Sequence, residues 1–164
     1  MADIKLFGFN EILQKARQES GGNVSTRDDA ILRELTIIAE EACNRARDTY
    51  IGGNPDMGTS HQDGGYDDHT RNLRGSIGFN IYHNGKLVAQ GGFDGRGSTD
   101  GEATAKSVLA NVSSNDTLWE IVVVAGMHYA RYVEAKGFPV ITFVQDFIDQ
   151  ECKKLKLEIL KGKI

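Results

Sequence analysis

Asp63, Asp67, Asp68 and His69 lie within seven residues of one another, beside Gly64-Gly65. Three carboxylates and an imidazole are hard and borderline donors that could hold a divalent metal, and such a site would make a metal-dependent hydrolase. The setting argues against it. The stretch is glycine-rich and shows no pattern of supporting residues, whereas ligands are best held on rigid elements. Solvated loop residues are the plainer reading, with the hydrolase as the alternative. None of the four histidines, His61, His69, His83 and His128, has an i, i+4 histidine partner or stands in a serine or cysteine nucleophile motif. His-Glu-x-x-His, Gly-x-Ser-x-Gly and a phosphate-binding Walker loop are all missing. The run Gly91-Gly92-Phe93-Asp94-Gly95-Arg96-Gly97 resembles a phosphate cradle, but Asp100 stands where the third glycine of Gly-x-Gly-x-x-Gly belongs. It also follows a hairpin, not a strand leading into a helix of a βαβ unit. The sequence therefore supplies no catalytic residue, no cofactor and no metal site.

The bulk properties narrow the class further. With 164 residues and 40% hydrophobic content, the chain suits one domain, 1–164, with a real core. Its formal net charge of −4 argues against a broad basic field for nucleic acid. The longest apolar run, Ile121 to Met127, is far shorter than a membrane span, and Met1-Ala2-Asp3-Ile4-Lys5 lacks the apolar core of a secretory signal. Cys43 and Cys152 stand far apart, in no metal-type spacing, and read as two buried reduced thiols.

The elements follow from spacing. Phe9, Ile12, Leu13 and Ala16 predict a short first helix, with Asn10 as its cap. Ile31, Leu35, Ile38, Ala39, Ala42 and Ala46 form an apolar stripe that predicts a helix over about 27–50. Thr26 and Asp29 would form its capping box, and Arg33, Glu34, Glu40, Glu41, Arg45 and Arg47 its wet side. Residues 51–69 read as a long flexible loop, and 91–101 as a second. Alternation over 76–82 and 86–90 around Asn84-Gly85 predicts a β-hairpin, because both turn residues tolerate positive φ. Ala105, Val108, Leu109 and Val112 predict a short helix opened by Thr99 and Glu102. The β-branched run 118–125 predicts a strand buried on both faces, and a short helix follows over 127–136, with Tyr129, Tyr132 and Val133 on one side. Residues 139–141 suggest a last short strand. Thr142 and Gln145 then open a C-terminal helix with Val144, Phe147, Ile148, Cys152, Leu155 and Ile159 on one stripe. The class is α+β: a small, mainly antiparallel sheet with a β-hairpin, packed against a long N-terminal helix and a C-terminal helix.

Two segments are richer than plain packing needs. One is Thr70-Arg71-Asn72-Leu73-Arg74-Gly75-Ser76-Ile77, where Leu73 and Ile77 can face the core while Arg71 and Arg74 face out. The other is Tyr129-Ala130-Arg131-Tyr132-Val133-Glu134-Ala135-Lys136-Gly137, in which interface-prone tyrosine and arginine follow the buried strand. Together they resemble the tail-completion (tail-terminator, or head–tail joining) proteins of long-tailed bacteriophages. That family shows Thr-Gly-x-Leu-Arg-x-Ser-Ile before its first strand and Tyr-Ala-x-Tyr-Val-Glu-x-Gly after a buried one. The likeness spans most of the chain, including Leu6-Phe7-Gly8-Phe9-Asn10-Glu11-Ile12-Leu13 and the two long helices. Arg71 replaces the family's glycine, Ala135-Lys136 adds a residue before Gly137, and 91–113 resembles an insertion.

The resemblance implies a structural virion protein, not an enzyme, assembled in the bacterial host cytoplasm. Its copies would form a ring, typically a hexamer, at the junction of tail tube and head connector. Tail terminator, head–tail joining protein and neck ring all fit. The partners would be further copies of the chain, the tail tube and the connector or neck proteins, with no membrane and no cofactor. DNA would only pass through the lumen, and an acidic balance suits a channel that must not grip it. Arg71, Arg74, Tyr129, Arg131, Tyr132 and Glu134 are the expected interface or interface-supporting residues.

Overall fold

The computed structural model describes residues 24–48, 71–95, 99–112, 119–136 and 140–162. The expected first helix and the loop over 51–69 lie outside the described residues. The architecture is α+β. A three-stranded antiparallel sheet has the order β2-β1-β3, from β1 (Ile77–His83), β2 (Lys86–Gly91) and β3 (Trp119–Ala125).

The long helix α1 (Val24–Asp48) buries every residue of its expected stripe, and Cys43 as well. It starts earlier than the spacing suggested. Thr26 already lies inside the helix, so it is not the half-helical residue that capping requires. Arg47 is the other correction. It was expected on the wet side, yet it is only 7% exposed. Its guanidinium donates to the Arg74 carbonyl at 3.2 Å, the Ile77 carbonyl at 3.0 Å and Asn44 Oδ1 at 3.0 Å. Those carbonyls flank the turn that leads into β1, and a charge can be buried here because its donors are satisfied.

The hairpin forms as its turn dictates. Asn84 and Gly85 adopt φ of 51° and 74°, the left-handed pair that matches strand twist. Ile81 pairs with Ala89 but Tyr82 with Leu87, so Val88 is an extra residue bulging from β2. A single helical turn, α2 (Asn72–Gly75), precedes β1 and buries Leu73.

Helices cover both faces of the sheet, and this accounts for the unbroken apolar run of β3. On one face α1 and α5 (Thr142–Leu160) pack over Ile77, Phe79, Ile81, Ile121 and Val123. On the other, α3 (Thr99–Asn111) brings Ala105 and Leu109 onto Tyr82, Val122 and Val124. Phe93, just after β2, sets its ring where a side chain on Gly78 would be. The segment 91–101 is thus less of a loop than expected: Gly91 pairs with Phe79 in the sheet, and Thr99 to Gly101 already belong to α3.

The expected strand at 139–141 does not form at its described residues. Val140 and Ile141 bend directly into α5. Their N–H groups bind a carboxylate, described below, and cannot join a ladder.

Among the described glycines the tightest surroundings are those of Gly126, at the end of β3. A methyl group on Gly126 would overlap the Gly101 carbonyl oxygen and come within 2.6 Å of the Ala105 nitrogen. Both are backbone atoms of α3 and cannot swing aside. Gly126→Ala should therefore destabilise the fold by about 3 kcal/mol, the upper range for overpacking. A urea titration against the wild type checks this, and an unchanged midpoint would contradict the close packing of α3.

Candidate functional site

The first segment singled out in the sequence meets the chain that leads from β3 into the second. Ser76, at the end of the first, accepts a hydrogen bond from the Gly126 N–H through its carbonyl at 3.1 Å. Its hydroxyl accepts from the Met127 N–H at 3.2 Å and donates to the Leu73 carbonyl at 2.8 Å. Ser76 therefore ties α2 and the start of β1 to the chain leaving β3. That exit leads into a short helix, α4 (Ala130–Ala135).

The six expected interface residues separate into different roles. Tyr132 is 62% exposed, the most exposed large apolar side chain among the described residues. The Lys136 ammonium lies 5.2 Å from its ring centroid, a cation–π contact at the surface. Arg131 beside it is exposed as well. Tyr129 is half-buried and packs against the core, with the His128 ring edge-on at 5.4 Å. The expectation of Tyr129 and Tyr132 on one side of the helix thus fails, because the helix starts only at Ala130 and turns Tyr132 outward. Arg71 and Arg74 are half-buried instead of facing out together. Arg71 sits in the left-handed region at φ 57°, where the family pattern has glycine, and the Arg74 carbonyl receives Arg47.

Glu134 is a structural residue. Its Oε1 accepts from the N–H groups of Val140, Ile141 and Thr142 at 3.3, 2.7 and 2.8 Å, and from the Thr142 hydroxyl at 3.0 Å. It caps α5 from outside the helix. The expected Thr142–Gln145 capping box is replaced: Thr142 is the first helical residue, and Ile141 in the cap position offers no side-chain bond. A carboxylate suits the place, since free N–H groups and the positive end of the helix dipole converge there. Partial burial alone would raise the Glu134 carboxyl. The hydrogen bonds from Thr142, Ile141 and Val140 outweigh it and hold the group below its ordinary 4.5.

Little else could do chemistry. Burial pushes the Cys43 and Cys152 thiols up to about 12 each, and both are free. Neither offers a thiolate nucleophile at neutral pH. His83 stacks flat on Trp119, with centroids 4.1 Å apart. Glu120 is 2% exposed and its Oε2 has no hydrogen-bond partner among the described residues, a buried acid hidden from sequence reasoning within an apolar run. Nearby, Asn80 Nδ2 donates to the Tyr82 hydroxyl at 2.8 Å, which donates to the Leu109 carbonyl at 2.9 Å. Among the described residues no three His, Cys, Asp or Glu side chains group to hold a metal, and Asp63, Asp67, Asp68 and His69 lie outside them. No helix among the described residues is long and apolar enough to cross a membrane.

No protein-family model, curated protein or solved structure matches the chain. The candidate site is therefore a surface: Arg131 and Tyr132 displayed on α4, whose base is fixed by Ser76 and whose far end is fixed by Glu134.

Glu134→Ala should cost about 1–2 kcal/mol, as for a lost helix cap. Because folding lowers its carboxyl, the contribution of Glu134 is complete above the ordinary value and fades as pH falls through the folded-state value. The stability gap between wild type and Glu134→Gln should accordingly narrow as pH falls below the ordinary carboxyl value. A gap independent of pH would remove the charged cap from the account. The two thiols should react with a thiol reagent at pH 7 only on unfolding, and rapid labelling of the native protein would contradict their burial.

Proposed function

We propose that the protein is a structural subunit of a tailed-bacteriophage particle, forming a ring at the head–tail junction between tail tube and head connector. It acts by shape and not by catalysis. The observation that carries this reading is the pairing of the two family-like segments. They are far apart in sequence, yet Ser76 of the first binds Gly126 and Met127, which lead from β3 into the second, and the second then presents Tyr132 and Arg131 to solvent. A large aromatic with an arginine beside it on a rigidly held helix has the composition of an interface hot spot. The two long helices that the likeness includes both form, one before and one after the sheet and its hairpin in chain order.

A ring requires head-to-tail contact, in which one patch of a copy meets a different patch of the next. It then has two unlike faces, suited to a tail tube on one side and a connector on the other. The copies would assemble in the host cytoplasm and end in the virion. DNA would traverse the lumen without being held, in keeping with the net charge of −4. A salt-dependent affinity of the protein for DNA at micromolar concentration would count against that channel.

Complementation of a phage lacking the gene tests the reading. Tyr132→Ala should lower the yield of tailed infectious particles on the order of tenfold or more, with the purified variant folded normally. Ser107→Ala, exposed on α3, should leave the yield unchanged. Equal yields from both variants would overturn the role of the α4 surface.

A further inference from the structure

The helical layer shows two outward faces of opposite character. Leu157 and Leu160 on α5 are 55% and 49% exposed, one turn apart and opposite the buried Ile148, Leu155 and Ile159. Four ammonium groups surround them: Lys153, Lys154 and Lys161 are exposed and Lys156 is half-buried. The acids on this half of the helix are Glu151, which binds Lys154 at 2.6 Å, and Glu158. The ridge is apolar at its centre and basic around it.

The outer face of α1 has the complementary pattern. Ile37 is 57% exposed, opposite the buried Leu35, Ala39 and Ala42 stripe. Glu40 and Glu41 are exposed beside it, and Glu34 is half-buried. Of the two guanidiniums here, Arg33 is exposed, while Arg45 is occupied by Glu41 at 2.9 Å and lies 4.0 Å over the Phe147 ring. This ridge is apolar at its centre and acidic around it.

We infer that these ridges are the two halves of a contact between copies of this chain: the Ile37 face of α1 on one copy packs against the Leu157–Leu160 face of α5 on the next. The inference rests on the ring reading and supplies its subunit interface. Charge selects the pairing. Meeting of two α5 faces would set lysines against lysines, and of two α1 faces acids against acids, whereas α1 against α5 buries the exposed leucines and isoleucine with opposite charges at the rim. Made once per pair of copies, α1 to α5 without the reciprocal contact, this pairing is heterologous and adds copies head to tail, as ring closure demands. Arg131 and Tyr132 on α4 remain available for the next layer of the particle.

The test is sedimentation of the full chain over a concentration series up to millimolar. The wild type should form species of three or more copies of the 18.0 kDa chain, and added salt should weaken them. Lys153→Glu with Lys156→Glu should lower the association constant at least about tenfold. So should Glu34→Lys with Glu40→Lys. Carrying all four changes in one chain restores opposite signs and should restore assembly. Mixing the two double variants should likewise restore assembly, as alternating copies, since every α1–α5 contact between unlike chains then joins opposite charges. None of these side chains belongs to the buried core, so helical content by circular dichroism should match the wild type. A wild type that stops at two copies, or assembly unmoved by either charge reversal, would overturn the inference while leaving a ring built through other surfaces. A chain monomeric at every concentration would also overturn it, and the ring reading would then stand or fall on the phage complementation.

Discussion

The structure turns on the junction at Ser76. One residue there provides a carbonyl and a hydroxyl to the two N–H groups that follow β3, and its hydroxyl also closes the turn of α2. Buried backbone groups at a strand exit must find partners. Here they find them in a segment fifty residues earlier in the chain. The same place permits no side chain on Gly126, because the first turns of α3 press against it, and Gly101 in that helix also lies close against Met127 and Ser76. Three stretches of chain thus converge where only small residues fit. The direction in which α4 leaves the sheet is set by this convergence, and with it the display of Tyr132.

Arg47 extends the same constraint to the other face of the sheet. Its guanidinium reaches the carbonyls of Arg74 and Ile77 on either side of Ser76, so α1 is pinned to the turn that the junction organises. Glu134 does for α5 what Ser76 does for α4: one carboxylate oxygen gathers the N–H groups at the entry to the helix and fixes where it starts. Both long helices are therefore located by polar contacts at their ends and held by apolar stripes along their length. The faces they turn away from the sheet carry exposed Ile37, Leu157 and Leu160. Regularity inside and patterned exposure outside are what a subunit needs in order to repeat.

How legible this was in the sequence depended on the range of the interaction. The hairpin was plain because Asn84-Gly85 determines its turn locally. The stripes of α1 and α5 were plain because burial repeats with the helical period, from Ile31 to Ala46 and from Val144 to Ile159. The apolar run of β3 signalled cover on both faces, and α3 supplies the second cover. Misreadings came where a partner lies far along the chain. Arg47 looked like a surface charge because its acceptors are 27 and 30 residues away. Thr142 looked like a cap because Glu134, eight residues earlier, could not be seen to reach it. Val140 and Ile141 looked like a strand because apolar β-branched residues suit one, although their N–H groups were already committed. Of the candidate site, the division of Glu134 and Tyr129 from Arg131 and Tyr132 was not legible, because it depends on where α4 begins. Ser76 drew no notice on its own, since a lone serine carries no signal until its hydrogen bonds are known.

The central claim is that this polypeptide works as a fixed part of a viral conduit. Counting its copies in purified phage particles by quantitative mass spectrometry, relative to the tail-tube and connector proteins, addresses that claim most directly. A small constant copy number per particle, equal to one ring, is the predicted result. Highly purified infectious particles containing none of this chain would contradict it.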